Sequence, residues 1–117
     1  MKKMISFIFI LFFLFPEGYC SALERSYNPW PGDGSADVSI YTDLAWDHYG
    51  ESSSLYFGTD PDRLYRLLSY SSSTRYDFYD SLELDERYYW RVDVHEGDTT
   101  VRGTLWTFRT RSSLFGV

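Results

Sequence analysis

Tyr88-Tyr89-Trp90-Arg91-Val92-Asp93-Val94 decides the fold. Tyr88, Trp90, Val92 and Val94 form one apolar series, and Tyr89, Arg91 and Asp93 fall between them. Strand side chains alternate sides with a period of two, so this spelling offers one face to a core and one to water; a helix would scatter the same residues around its axis. Thr104 to Thr110 alternates in the same way, with Trp106 and Phe108 on one side and Thr107 and Arg109 on the other. Leu44 shares a face with Trp46, and Leu55 with Phe57. Turn signals separate these runs at Pro31-Gly32-Asp33-Gly34, Tyr49-Gly50, Gly58-Thr59-Asp60-Pro61-Asp62, Glu96-Gly97-Asp98 and Arg102-Gly103. Short β-favouring runs broken about every 8–12 residues predict an all-β sandwich of two antiparallel sheets. Arg63 to Tyr70 carries Leu64, Leu67 and Leu68 at helical spacing but is too short for a stable helix, so it reads as an irregular edge strand or a single turn. The Ser52–Ser54 and Ser71–Ser73 runs read as solvated loop.

The chain of 117 residues has the length of one domain. It is 44% hydrophobic and 21% aromatic, with 11 Tyr, 9 Phe and 4 Trp, which argues against disorder. Its net charge of −6 and pI near 4.7 speak against nucleic acid, which requires a basic surface. One Cys and two His make a zinc site or a disulfide framework an unpromising reading.

Met1-Lys2-Lys3, the apolar run from Met4 to Phe15, the break at Pro16-Glu17-Gly18 and the small residues Cys20-Ser21-Ala22 have the layout of a secretory signal peptide over residues 1–22. The apolar run is too short to span a membrane, which takes about 20 residues. Cys20 allows a second reading, because it sits where bacterial lipoproteins carry their lipidated cysteine. Glu17 and Tyr19 depart from that family's aliphatic and small positions, so lipidation at Cys20 is the lesser reading, and the only one that implies a membrane. Cleavage after Ala22 removes Lys2, Lys3 and Glu17 and leaves nine Arg and no Lys against sixteen acids, a net charge of −7.

Asn28-Pro29-x-Pro31-x-Asp33-Gly34-x-x-Asp37-Val38 resembles the opening of bacterial fibronectin type III-like modules. Leu44-x-Trp46, Leu55-Tyr56-Phe57-Gly58-Thr59, Leu82-x(5)-Tyr88-Tyr89-Trp90-Arg91-Val92-Asp93 and Gly103-x-x-Trp106-x-Phe108-x-Thr110 follow in that family's order. The resemblance implies an immunoglobulin-like sandwich of about seven strands over residues 28–111, with 23–27 as linker and 112–117 as tail. One sheet would bring Leu44, Trp46, Tyr76 and Phe78 to the core, and the other Leu55, Phe57, Tyr88, Trp90, Val92, Trp106 and Phe108. Tyr88 would be the tyrosine-corner residue, its hydroxyl bonded to backbone near Leu82. Leu84-Asp85 departs from the Pro-Gly common at that turn. In larger proteins such modules serve as spacers or adhesive units, which implies a non-catalytic, exported interaction or structural module at the cell surface or outside the cell.

The chemistry-bearing residues form no recognisable set. His48 and His95 read as loop residues without a Cys partner, and no Ser stands in a G-x-S-x-G setting. The pairs Asp60/Asp62, Asp77/Asp80 and Asp85/Glu86 read as solvated turn residues. Asp60 and Asp62 lack the D-x-D-x-D-G spelling of a calcium loop, and Asp60 reads as a turn cap. No enzyme activity, cofactor or metal is expected. The candidate binding residues are Tyr56, Tyr89, Arg91 and Arg109, which alternation turns outward on one sheet, where flat rings beside Arg suit a glycan or protein partner. Trp30 offers a second exposed ring for binding, with packing over one end of the sandwich as the preferred reading. Trp90→Ala is expected to cost about 3–5 kcal/mol, and Arg91→Ala less than about 1 kcal/mol.

Overall fold

The computed structural model describes residues 22–114; the expected leader and Cys20 lie outside the described residues, of which the leader shares only Ala22. Among the described residues nine strands follow in order: β1 Tyr27–Trp30, β2 Ser35–Val38, β3 Leu44–Asp47, β4 Ser52–Gly58, β5 Tyr65–Ser71, β6 Arg75–Tyr76, β7 Arg87–Glu96, β8 Thr99–Val101 and β9 Trp106–Thr110. They build two sheets. The broad one runs β2-β9-β7-β4-β5, with β8 hairpinned onto β7, and the small one runs β1-β3-β6. Every pairing is antiparallel except β2 with β9, where Ser35 lies opposite Phe108 and Val38 opposite Thr110. The all-β, two-sheet expectation therefore holds.

Nine segments trace seven strand paths, because two paths are interrupted. The first starts in the small sheet as β1, turns at Pro31-Gly32-Asp33-Gly34 and joins the broad sheet as β2. Trp30–Pro31 is a cis peptide, and Gly34 takes a φ of 82°. The last path breaks between β8 and β9. Val94 pairs with Val101 and Trp90 with Trp106, so Arg91–Asp93 face the longer stretch Arg102–Leu105, a β-bulge. Gly103 lies in that bulge so close to β7 that a Cβ on it would stand 2.1 Å from the Val92 carbonyl oxygen. Val92 O instead accepts the Ser26 hydroxyl at 2.8 Å, and Gly103 N–H donates to Asp93 Oδ1 at 2.9 Å.

The core lies between the sheets and consists of Leu44 and Trp46 from β3, Leu55 and Phe57 from β4, Tyr88, Trp90 and Val92 from β7, and Trp106 and Phe108 from β9. All nine are the residues that alternation assigns to the interior. Trp90 meets Trp106 edge-on at 4.8 Å and Trp46 at 6.2 Å, while Phe57 stacks on Tyr88 at 5.0 Å. Such ring pairs add about 0.5–1.5 kcal/mol each beyond the area they bury. The Glu83 N–H donates to the Tyr88 hydroxyl at 2.9 Å, the corner bond that the resemblance implies, one residue beyond Leu82. Asp85 takes a φ of 52°, the left-handed conformation that glycine adopts most readily, so this turn closes without Pro-Gly.

Five expectations need correction. The Ser52–Ser54 run opens β4, where Ser53 and Ser54 are buried because each hydroxyl is satisfied: Ser53 Oγ accepts Trp46 Nε1–H at 3.1 Å, and Ser54 Oγ accepts Tyr70 N–H at 3.0 Å. His95 sits buried within β7, since that strand continues past Val94 to Glu96. Trp30 caps nothing and is 65% exposed. Phe78 lies beyond the two-residue β6, although its ring still tilts against Phe57 at 4.7 Å. The domain also begins before residue 28, because Ser26 is buried against Val92 and Tyr27 opens β1. The Arg63–Tyr70 segment forms the edge strand β5, in register with β4 except at two shifts, one between Ser53 and Leu55 and one between Leu55 and Tyr56. Tyr70 there takes a φ of 47°.

Candidate functional site

The outer face of the broad sheet carries the expected binding residues. Tyr56 lies directly opposite Arg91, and Tyr89 lies between Gly58 and Thr107, so the four side chains do point away from the core. Most of their polar capacity is already used. Arg91 Nε and Nη2 donate to the two Asp93 carboxylate oxygens at 2.9 and 3.3 Å, and the guanidinium lies 4.3 Å from the Tyr56 ring centroid. The Arg91 and Asp93 side chains are only 15% and 10% exposed. Arg109, on β9, donates to Asp85 Oδ1 at 3.1 Å and sits apart from the Tyr56–Arg91 pair. This face is therefore a knitted polar layer, with Tyr89 and Arg109 at its margin.

Toward the β8 end the same face holds a histidine that alternation brings alongside Ser54. His95 Nε2 is 2.7 Å from Ser54 Oγ, and Nδ1 is 2.8 Å from Thr100 Oγ1. The Tyr70 ring stacks over the imidazole at 3.7 Å. A Ser–His contact of this length is what a nucleophile and its base require. Here Ser54 is 1% exposed, takes the Tyr70 N–H as donor and is roofed by Tyr70, which leaves a substrate no approach. The pair holds the edge strand down. Burial pushes the His95 pKa below the ordinary 6.5, Asp93 pulls it back, and His48 lowers it further. Extending the Tyr89–Arg91–Asp93 alternation by one step would have found His95, and stepping back from Tyr56 by two would have found Ser54.

The acidic pairs are turn residues in the structure as well. Asp60 Oδ1 accepts Asp62 N–H at 3.0 Å, the cap expected of it. Among the described residues no cluster of three His, Cys, Asp or Glu is placed to hold a metal ion, and no helix is long and apolar enough to cross a membrane.

The outer face of the small sheet carries aromatics of which sequence reasoning weighed Trp30 alone, and as the lesser reading. Tyr27 pairs with Asp47 and Trp30 with Ala45, so two residues of β1 oppose the single Trp46 of β3. That extra residue is a bulge, with Asn28 at a φ of 58°. Residues three apart normally point to opposite faces of a strand; the bulge restores the phase, and Tyr27 and Trp30 both point outward beside Ala45 and Asp47. Asn28 tolerates positive φ, and Pro29, which has no N–H to pair, suits the edge position of β1. The Asn-Pro pair inside an aromatic run was the available signal. Tyr49 stacks on Tyr27 at 5.1 Å, and Asn28 Nδ2 donates to Asp47 Oδ2 at 2.9 Å. Hydrogen bonding to Tyr49, with smaller contributions from burial and from Asp47 and Glu24, pushes the Tyr27 hydroxyl up to about 12. On the other side of Ala45, Arg75 forms ion pairs with Asp43 and Asp77. Trp30, Ala45, Arg75 and their neighbours enclose an open depression of about 380 Å³. No family model matches this chain, and neither a curated protein nor a solved structure is significantly similar to it.

Proposed function

We propose that the chain is a non-catalytic, exported module of fibronectin type III-like kind, with an interaction or structural role at the cell surface or outside the cell. The observation that carries this reading is where the chemistry-bearing groups are spent. Ser54, His95, Asp93 and Arg91 satisfy one another beneath Tyr70 and beside Tyr56, while large rings such as Trp30, Tyr49 and Tyr65 stay exposed on the surface. A surface built in that way suits contact rather than turnover. The parallel β2–β9 pairing, the corner bond at Tyr88 and the seven strand paths support the family resemblance. The amino-terminal pattern of Lys2-Lys3, apolar run and small-residue exit supports export. Glycan binding through Tyr56, Tyr89, Arg91 and Arg109 has less support, because Arg91 is committed to Asp93 and Tyr56.

The full chain expressed in its own cells tests the reading. Mass spectrometry is expected to find a mature N-terminus after Ala22 in the external or envelope fraction, and the purified protein is expected to bind isolated envelope. An uncleaved cytoplasmic product, or turnover of glycan or peptide substrates by the purified protein, would overturn it.

A further inference from the structure

Resting on the reading of this chain as an exterior interaction module, we propose that the outer face of the β1–β3–β6 sheet binds a neutral polysaccharide, with the Trp30 indole as its stacking surface. Trp46, Trp90 and Trp106 are buried, whereas Trp30 stands 65% exposed on a strand. Burying an indole is strongly favourable, so leaving one in water within a folded sheet costs stability that a ligand can recover. The bulge at Asn28 is what turns it outward, in the same direction as Tyr27.

The shape beside it is narrow. Ala45, the smallest side chain in the row, lies opposite Trp30, and Arg75 follows on the far side. The row is therefore tall, low and tall, around an open depression of about 380 Å³. One pyranose ring fits such a trough with its C–H face on the indole and its hydroxyls toward the rim. The rim is hydrogen-bonding rather than apolar: the Asp47 carboxylate accepts from Asn28, Thr74 offers a hydroxyl, and Tyr27 with Tyr49 continues the aromatic line for a neighbouring residue of the chain. A protein partner would call for a wider apolar centre.

Charge selects the kind of polysaccharide. Asp43, Asp47 and Asp77 surround the site, and Arg75 is already engaged by Asp43 and Asp77. Three carboxylates against one guanidinium leave the rim net negative, which repels a uronic acid or a sulfated sugar, whereas neutral hydroxyls can donate to Asp47.

Affinity electrophoresis of the full chain in gels containing a neutral β-glucan, xylan, mannan or α-glucan, beside anionic pectin and a sulfated polymer, tests the proposal. Retardation is expected in at least one neutral gel and in neither anionic one. Trp30 supplies the water-exposed tryptophan emission among the described residues, so the retarding polymer should shift that emission to the blue and shield it from acrylamide. Trp30→Ala is expected to weaken binding about tenfold or more, Trp30→Phe to retain part of it, and Thr99→Ala, exposed on the broad sheet, to leave it intact; unchanged melting of Trp30→Ala shows that folding is not the cause. The proposal is overturned by retardation in anionic gels alone, by Trp30→Ala binding as tightly as the wild type, or by no neutral polymer moving the band. Envelope binding that persists in Trp30→Ala would leave the module reading standing while this site falls.

Discussion

Arg91→Ala separates a free binding residue from a structural clamp. Alternation alone places Arg91 outside and makes its removal cheap. In the structure its guanidinium forks onto Asp93 at 2.9 and 3.3 Å and lies 4.3 Å over Tyr56, with both charged side chains at least 85% covered. The charge-assisted pair contributes about 1.5–3 kcal/mol, and the ring contact about 0.5–1 kcal/mol. Truncation also strands the Asp93 carboxylate, whose remaining protein donor is the Gly103 N–H. Stranding a fully buried charge costs about 3–5 kcal/mol. Residual solvent access to Asp93 lowers this, and about 2–3 kcal/mol is the expected total. With a urea m-value of about 1 kcal/mol/M, the unfolding midpoint should fall by about 2–3 M. The pair is shielded from ions, so the loss should change little between low and high salt. An Arg91→Ala, Asp93→Ala double-mutant cycle followed by fluorescence should give a coupling above about 1 kcal/mol. A loss below about 0.5 kcal/mol for Arg91→Ala would refute the reasoning and return Arg91 to the pool of free surface residues.

Trp90→Ala should cost about 3–5 kcal/mol by urea unfolding, and Trp90→Phe much less, because the buried Trp90 Nε1 has no hydrogen-bond partner to lose. Gly103→Ala drives a methyl into the Val92 carbonyl, and either that strand or the bulge must give way; a loss of about 2–4 kcal/mol is expected by the same measurement. The lowered His95 pKa means that the unfolded chain binds the proton more readily, so this residue's contribution is present above about pH 6.5 and is lost as pH falls through the folded value. Urea midpoints measured across that range should decline toward acid, and His95→Asn should flatten the decline.

The core was legible because a period of two survives any detail of the turns. The nine residues of the central cluster, from Leu44 to Phe108, could be named from spacing alone, since their runs keep their phase. Sidedness failed where phase breaks or where a strand outlasts its apolar letters. Asn28 inserts one residue into β1 and carries Trp30 to the outside, which no uninterrupted count anticipates. Ser53 and Ser54 look like loop by composition, yet their hydroxyls find Trp46, His95 and Tyr70, partners up to 41 positions away that only the fold brings near. Arg91 was assigned to the correct side but with the wrong freedom. Alternation tells which way a side chain points and is silent on what the adjacent residue of the same strand, here Asp93, does with it.

The two register shifts in β5 have a consequence for how the domain meets other molecules. A straight outer strand is a template on which another molecule can continue the ladder, and repetition of that step makes fibres. In β5 the peptide groups fall out of step twice within seven residues, and Tyr70 is turned into the left-handed region. An incoming strand could match only two or three residues before its bonding groups slid out of line. A domain with an open sheet edge thus carries its guard against polymerisation in the irregularity of its own border.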